Sequence, residues 1–323
     1  MTATLVGDVG GTNARFALAE RTAQGSLELH HSERLAVAEF GSFDDAVASY
    51  LDAVGVKPKK AAFAFAGPKF DGEIRMTNAP WTVSESQLSG AFGFDALMLV
   101  NDFVAMANGA TVIPDDGFQT LIEGKVNYNK PVVVTGPGTG LGVSLILPRP
   151  APGLPRTIVP TEGGHTGFTP QTEEERAVLL YWQERMDFVA AESLISGPGL
   201  FRLYTALCDI RGEKRRATKP DEIVAAAQAS PKTLARATVV TFCNMLGTFA
   251  ANTACTTGAA GGVVIGGGVA KHVAPFMAES DFAARFKARG TSSFYVADIP
   301  VRLIKANFVA LYGAADMVME QSA

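Results

Sequence analysis

The chain has 323 residues, 47% of them hydrophobic and 19% charged, a balance that supports a packed core and excludes a disordered chain. Its formal net charge of −4 does not point to a nucleic-acid partner, and none is expected. No basic segment leads into an apolar leader, and no run of about 18 apolar residues occurs, so the expectation is a cytoplasmic protein with no membrane partner.

The length suffices for two compact lobes. The first predicted element is a strand that starts near Thr4 and leads into Gly7-Asp8-Val9-Gly10-Gly11-Thr12-Asn13, after which Phe16 to Ala19 forms a second strand. A turn with bare Gly10 and Gly11 lets a ligand approach backbone N–H groups, which suit phosphate oxygens. Thr12 and Asn13 can add hydrogen bonds. Asp8 would repel a phosphate but can hold a metal ion through water. The turn is therefore read as a nucleotide and magnesium site, against the plainer reading of a hairpin with a surface Asp.

Further along, Ser42-Phe43-Asp44-Asp45 opens a helix that Gly55 can end. A buried strand spans Ala61 to Ala66, Asp71-Gly72 is a hairpin turn, and Ser84-Glu85-Ser86-Gln87 reads as a capping box. Ala96 to Val100 forms a strand that delivers Asn101 and Asp102 at its carboxyl end, where a helix begins. That is a usual place for reactive groups in open α/β sheets, and the helix N-terminus favours an ionised Asp. Asp102 is also a plausible helix N-cap. Asn108 to Gly124 is turn-rich and can join two lobes.

Val132 to Ile146 repeats the opening plan of strand, glycine turn and strand. Gly136 aligns with Asp8 and Gly138 with Gly10, so Gly138, Thr139 and Gly140 are read as a second phosphate contact. Pro148, Pro150, Pro152 and Pro155 mark a surface loop. Thr172 to Glu175 caps a helix to about Met186, and Ser196 caps the next. Thr233 to about Cys255 is a long apolar helix. Gly261 to Ala270 is a buried strand entering a bare turn, Gly266-Gly267-Gly268, against which an adenosine could lie flat. Phe308 to Met319 has a helical pattern. Cys208, Cys243 and Cys255 are widely spaced on helix-like stretches and read as core thiols. No Walker A sequence is present, and the glycine turns lack G-x-G-x-x-G, so P-loop and dinucleotide-binding readings fall away.

Gly7 to Arg15, Thr77-Asn78-Ala79-Pro80-Trp81, Val100 to Phe103, Gly136 to Gly142, Thr161-Glu162-Gly163-Gly164-His165, Glu192 to Gly197 and Gly266 to Gly268 resemble, in that order, the motifs of bacterial glucokinases. These belong to the non-zinc branch of the sugar kinase, actin and heat-shock chaperone ATPase superfamily. The resemblance covers nearly the whole chain. It implies a two-lobed α/β, ribonuclease H-like fold with a duplicated βββαβαβα core and an inter-lobe cleft. The small lobe would comprise residues 1–110 plus 303–323 and the large lobe 111–302.

The resemblance further implies ATP-dependent phosphorylation of glucose. Asp102 would accept the proton of the sugar hydroxyl. Asn78, Asn101, Asp102, Glu162, His165 and Glu192 would bind sugar, and Asp8 would hold Mg2+. Gly7 to Asn13, Gly138 to Gly140 and Gly266 to Gly268 would bind ATP, and a homodimer is the family default. A structural zinc is not expected, because the cysteine cluster of the zinc-bearing cousins is missing. Two alternatives stand beside this: a kinase for another hexose or an N-acetylhexosamine, and a sugar-sensing regulator. The second would need a helix-turn-helix segment ahead of Leu5.

Overall fold

The computed structural model describes residues 3–67, 69–76, 81–151 and 154–320. The chain is a mixed α/β fold built on two main sheets, divided into one unit of residues 1–117 plus 306–323 and a second of 118–305. The sequence placed those boundaries at 110 and 303. They fall later because Phe118–Ile122 and Val301–Ile304 pair with each other in the second sheet.

In the first unit, β1 (Thr4–Val9), β2 (Asn13–Arg21) and β3 (Leu27–Ala36) form an antiparallel meander. Helix α1 (Phe43–Val54) then leads to β4 (Lys60–Phe65). A small three-stranded sheet follows, β5 (Lys69–Phe70), β6 (Glu73–Arg75) and β7 (Thr82–Ser84). Helix α2 (Glu85–Phe92), β8 (Ala96–Asn101) and α3 (Asp102–Gly109) complete this stretch. The main sheet has the order β3-β2-β1-β4-β8, with β1, β4 and β8 parallel.

The alternation of β4 sorts its two faces, since successive side chains in a strand point to opposite sides. Ala61, Phe63 and Phe65 join an aromatic cluster with Phe16, Phe43, Tyr50 and Trp81. Phe43 sits edge-on to Phe63 and Phe65, each with ring centroids 5.0 Å away. Ala62 and Ala64 face the other way, against Ala105 of α3 and Ala310 and Ala314 of the C-terminal helix (Val309–Glu320). Only small residues let these helices come so close. A methyl group on Gly109 would lie 2.1 Å from the Val309 carbonyl oxygen, and one on Gly313 1.8 Å from that of Ala105. Buried Asp316 locks the junction, accepting from Arg21 at 2.7 Å and from Asn108 at 3.0 Å.

Several local signals act as read. Ser42 accepts from the Asp45 N–H and Gly55 closes α1 in the left-handed conformation. Asp71 and Gly72, at φ 48° and 78°, make the turn between β5 and β6 with both central residues left-handed. Ser84 departs from expectation. It starts α2 but its side chain caps nothing and instead meets the Ser86 hydroxyl at 3.1 Å.

The second unit begins with β9 (Phe118–Ile122), a strand inside what read as a turn-rich linker. Its other strands are β10 (Val132–Pro137), β11 (Leu141–Ile146), β12 (Ile158–Thr161), β13 (Gly262–Ile265) and β14 (Val301–Ile304). Its helices are α4 (Glu173–Gln183), α5 (Gly197–Arg211), α6 (Pro220–Ala229), α7 (Leu234–Thr257), α8 (Gly268–Met277), α9 (Phe282–Lys287) and α10 (Ser293–Val296). The sheet order is β12-β11-β10-β13-β14-β9, so its first five strands repeat the order of the first sheet: three antiparallel, then two parallel additions.

Helix α7 is long and apolar enough to cross a membrane by length and composition, but 72% of its most apolar window is buried. Val239, Phe242, Leu246 and Ala250 pack it into one core with Val133, Val143, Val263 and Leu303 of the sheet. Thr172, Ser196 and Thr233 cap α4, α5 and α7. Helix α4 ends at Gln183, short of Met186. Cys208 and Cys243 are buried as expected, whereas Cys255 is exposed. The proline loop is described except at residues 152–153, so Pro152 lies outside the described residues.

Alanine in place of Gly313 would gain up to about 1 kcal/mol of helix propensity. The 1.8 Å approach to the Ala105 carbonyl outweighs that gain, because backbone cannot move aside. Gly313→Ala is expected to lower the denaturant midpoint, at a cost of about 1–3 kcal/mol. An unchanged or raised midpoint would contradict this packing.

Candidate active site

The candidate residues fall on both units, and each set is built by its own sheet. In the first unit the parallel strands β1, β4 and β8 end in register, with Asp8 paired to Ala64 and Ala64 to Val100. Asp8 and the end of β8 are thus two strand spacings apart, about 10 Å. Asn101, the last residue of β8, is the N-cap of α3: its Oδ1 accepts from the N–H groups of Phe103 at 3.0 Å and Val104 at 3.3 Å. The cap is therefore Asn101 rather than Asp102. Asp102 occupies the first helical position, and its Oδ1 accepts from the Phe103 N–H at 2.8 Å.

The electrostatics of these carboxyls follow from that placement. Burial pushes Asp102 up to about 6, the negative charge of Asp8 adds to the rise, and the bonds from backbone N–H groups pull back. Asp8 is likewise raised by burial, offset by the Arg15 guanidinium 3.8 Å away. Arg15 and Asp8 thus form a salt bridge within the first unit. The two raised carboxyls sit at the carboxyl ends of the parallel strands β1 and β8 of one mixed sheet, where a hard divalent cation would lower the energy of both. That oxygen chemistry fits Mg2+, and Asp8 is the residue that would hold it.

The turn from Gly7 to Asn13 divides by steric need. A methyl group on Gly7 would lie 2.7 Å from Phe63 Cδ1, so this glycine serves the aromatic core, and buried Val9 belongs to the same core. The Gly10 N–H donates to the Asn13 carbonyl at 2.9 Å and is spent closing the hairpin. The Asn13 Oδ1 accepts from Arg34 at 2.9 Å. The N–H groups of Gly11 and Thr12 make no hydrogen bond among the described residues. Gly10 has room: a methyl there meets nothing nearer than 3.7 Å.

The β10–β11 hairpin repeats this pattern. The Gly138 N–H donates to the Gly140 carbonyl at 2.8 Å, as Gly10 does to Asn13. The N–H groups of Thr139 and Gly140 make no hydrogen bond among the described residues. A methyl on Gly138 or on Gly268 would meet nothing within 4 Å. Gly136 and Gly267 differ: a methyl on the first would strike the Gly266 carbonyl at 1.9 Å, and on the second the Pro137 carbonyl at 2.3 Å. These two let the ends of β10 and β13 pass close together, with the Gly266 N–H donating to Thr135 at 2.8 Å.

Glu162 and His165 are exposed on the turn after β12, their side chains 3.8 Å apart. That turn is tied down by Thr166, whose hydroxyl donates to the Gly163 carbonyl at 2.8 Å. Gly164 underlies it, with room for no side chain because its Cβ would sit 2.1 Å from the Leu141 carbonyl. Glu192 is half-buried rather than a surface carboxylate, and its Oε2 accepts from the Leu141 N–H at 2.7 Å.

Asn78 lies outside the described residues, together with the rest of Thr77 to Pro80. Sequence reasoning missed Gly67, whose carbonyl receives the Asn101 Nδ2 at 3.4 Å; the signal was a Gly-Pro pair directly after a buried strand. It also missed the bond from Glu192 to the hairpin, for which a sequence contains no signal. Among the described residues no three His, Cys, Asp or Glu side chains cluster as metal ligands.

Comparison with known proteins bears on the whole chain. The family model described as Glucokinase matches residues 5–321. A glucokinase of Saccharophagus degradans is 38% identical over 312 residues, 96% of this chain and 96% of that one. The crystal structure of a glucokinase from an Antarctic psychrotroph superposes with a TM-score of 0.88 at 32% identity, covering 99% of both chains. That of a Balamuthia mandrillaris glucokinase in complex with glucose has a TM-score of 0.82 at 22% identity, covering 98% of this chain and 94% of its own.

The geometry around Asp102 makes a direct prediction. In wild-type protein free of ligands and divalent cations, its carboxyl titrates near 6, being protonated below and charged above. In Asp8→Asn the midpoint falls, because the neighbouring charge is gone, but stays above the ordinary 3.8 because burial remains. Carboxyl-carbon NMR titration of both proteins measures this. A wild-type midpoint near 4, or no shift in the variant, would contradict the assignment.

Proposed function

The chain belongs to the glucokinase family, and we propose that Asp102 is the general base with which it phosphorylates glucose. The protein is an ATP-dependent hexose kinase. The observation that carries the role of Asp102 is a half-buried carboxyl, raised to about 6, at the junction of β8 and α3. A base of that strength is charged near neutral pH and still takes a proton readily.

In the proposed reaction a sugar hydroxyl gives its proton to Asp102 as its oxygen attacks the terminal phosphorus of ATP, and ADP leaves. Asn101 spends its Oδ1 on the helix and holds Gly67 through a long 3.4 Å bond, which leaves one amide hydrogen for a sugar oxygen. Glu162, His165 and the second oxygen of Glu192 offer acceptors and a donor for other hydroxyls. Asn78 joins them by resemblance alone.

The glycine turns are proposed to bind phosphate through their tips. Gly11, Thr12, Thr139 and Gly140 have the N–H groups to donate, and the open space at Gly10, Gly138 and Gly268 admits close approach. Mg2+, held by Asp8 through water, would neutralise charge on the phosphates. The repeated strand order of the two sheets supports a duplicated βββαβαβα core of the ribonuclease H type.

Asp102→Asn keeps the shape and hydrogen bonding of the carboxyl but cannot accept a proton. It is expected to slow turnover by on the order of a hundredfold or more while glucose affinity stays within a few-fold. A coupled assay over glucose, other hexoses and N-acetylhexosamines, beside calorimetry with glucose, measures both. Near wild-type turnover in the variant would overturn the role of Asp102, and preference for another sugar would overturn glucose.

A further inference from the structure

Glu192 is placed to do more than contact sugar. It begins a short segment that touches two separate loops of the second unit. Its own N–H donates to the Gly164 carbonyl at 2.9 Å, in the turn that bears Glu162 and His165. Its Oε2 accepts from the Leu141 N–H at 2.7 Å, at the foot of the β10–β11 hairpin. Five residues on, the Gly197 N–H donates to the Gly138 carbonyl at 2.8 Å, on the opposite limb of that hairpin. Between these points the Ser196 hydroxyl donates to the Glu192 carbonyl at 2.8 Å and caps α5 by accepting from Gly199 at 3.0 Å. The hairpin tip, residues 138–141, is thus gripped on both limbs by a segment anchored on a 15-residue helix.

The glycine at 140 records how close this grip is. A methyl group there would stand 2.5 Å from Glu192 Oε2 and 3.2 Å from its carboxyl carbon. Gly140 is not left-handed, so a methyl there would meet no backbone strain but would push the Glu192 carboxylate off its place. The bond itself pairs an ionised acceptor with a backbone donor, the stronger class of hydrogen bond. Oε1 makes no hydrogen bond among the described residues and is available to a ligand.

We propose that Glu192 is a positioning residue for the phosphate hairpin, holding the Thr139 and Gly140 N–H groups in place through Leu141, in addition to its sugar contact. One carboxylate then serves both substrates: Oε2 fixes the hairpin and Oε1 receives a sugar hydroxyl. The inference rests on the reading of residues 138–140 as a nucleotide contact. It does not need the sugar to be glucose.

Two substitutions separate reach from charge. Glu192→Gln keeps the length and an amide oxygen that can accept from Leu141. Glu192→Asp keeps the charge but is one methylene too short to reach. Affinity for magnesium and a non-hydrolysable ATP analogue is measured by calorimetry with no sugar present. The Asp variant is expected to bind the analogue about tenfold more weakly, the scale of one lost hydrogen bond to a charged group. The Gln variant should stay within about threefold. Exchange of the Leu141 amide hydrogen, followed by NMR, should quicken in the Asp variant and not in the Gln variant. Both variants should bind glucose more weakly than wild type.

If both variants bind the analogue as wild type does and lose only glucose, Glu192 is a sugar contact alone and the proposal is overturned. Loss of the analogue in the Gln variant with wild-type affinity in the Asp variant would also overturn it, since charge and not reach would then matter. Wild-type protein that binds the analogue but neither binds nor phosphorylates glucose would instead sink the proposed function, leaving the hairpin comparison readable.

Discussion

Two carboxylates at the carboxyl ends of parallel strands in one sheet set the terms for the rest of the first unit. Asp8 and Asp102 are both raised by burial, and Asp8 raises Asp102 further. Burying like charges costs free energy unless something offsets it. Arg15 offsets part of the cost for Asp8, and backbone N–H groups at the start of α3 offset part for Asp102. The remaining imbalance is chemically useful. It favours a cation near Asp8 and leaves Asp102 a stronger base than an ordinary carboxylate.

That arrangement holds only while α3 stays in register with β8, and the rest of the unit enforces it. Asn101 caps α3 with its side chain, so the strand end and helix start move as one piece. The far end of α3 is locked by Gly109 and Gly313 against the C-terminal helix, and by the bonds among Asn108, Asp316 and Arg21. On the other face the aromatic cluster around Phe43 and Phe63 fills the space beneath β1, and Gly7 is bare because Phe63 lies against it. The last helix of the chain thus bears on the position of Asp102, the proposed base, more than 200 positions before it.

Much of this was legible in the sequence, and for identifiable reasons. Caps and turns are local, so Ser42, Thr172, Ser196 and Asp71-Gly72 could be read from a few neighbours each. Asp102 could be placed at a strand end because the apolar run before it is short and bounded. The glycines were harder. Sequence shows that a residue lacks a side chain but not what fills the space. Structure divides them into those that admit neighbouring chain, such as Gly7, Gly136 and Gly267, and those with open space, Gly10, Gly138 and Gly268. The strand β9 was missed because it pairs with β14 some 180 residues away, and long-range pairing has no local signature. The grip of Glu192 on Leu141 spans 51 positions and was invisible for the same reason. Ser84 misled because a hydroxyl two residues on competed for the capping bond.

The central claim is that a half-buried carboxyl of raised pKa performs the proton transfer. The most direct measurement is the rate of glucose phosphorylation with glucose and magnesium–ATP both far below saturation, where ionisation of the free enzyme governs the pH profile. With Asp102 titrating at about 6, the rate at pH 5 should be about tenfold below that at pH 7, with an acid limb of unit slope. An equal rate at both pH values in stably folded protein would contradict the account.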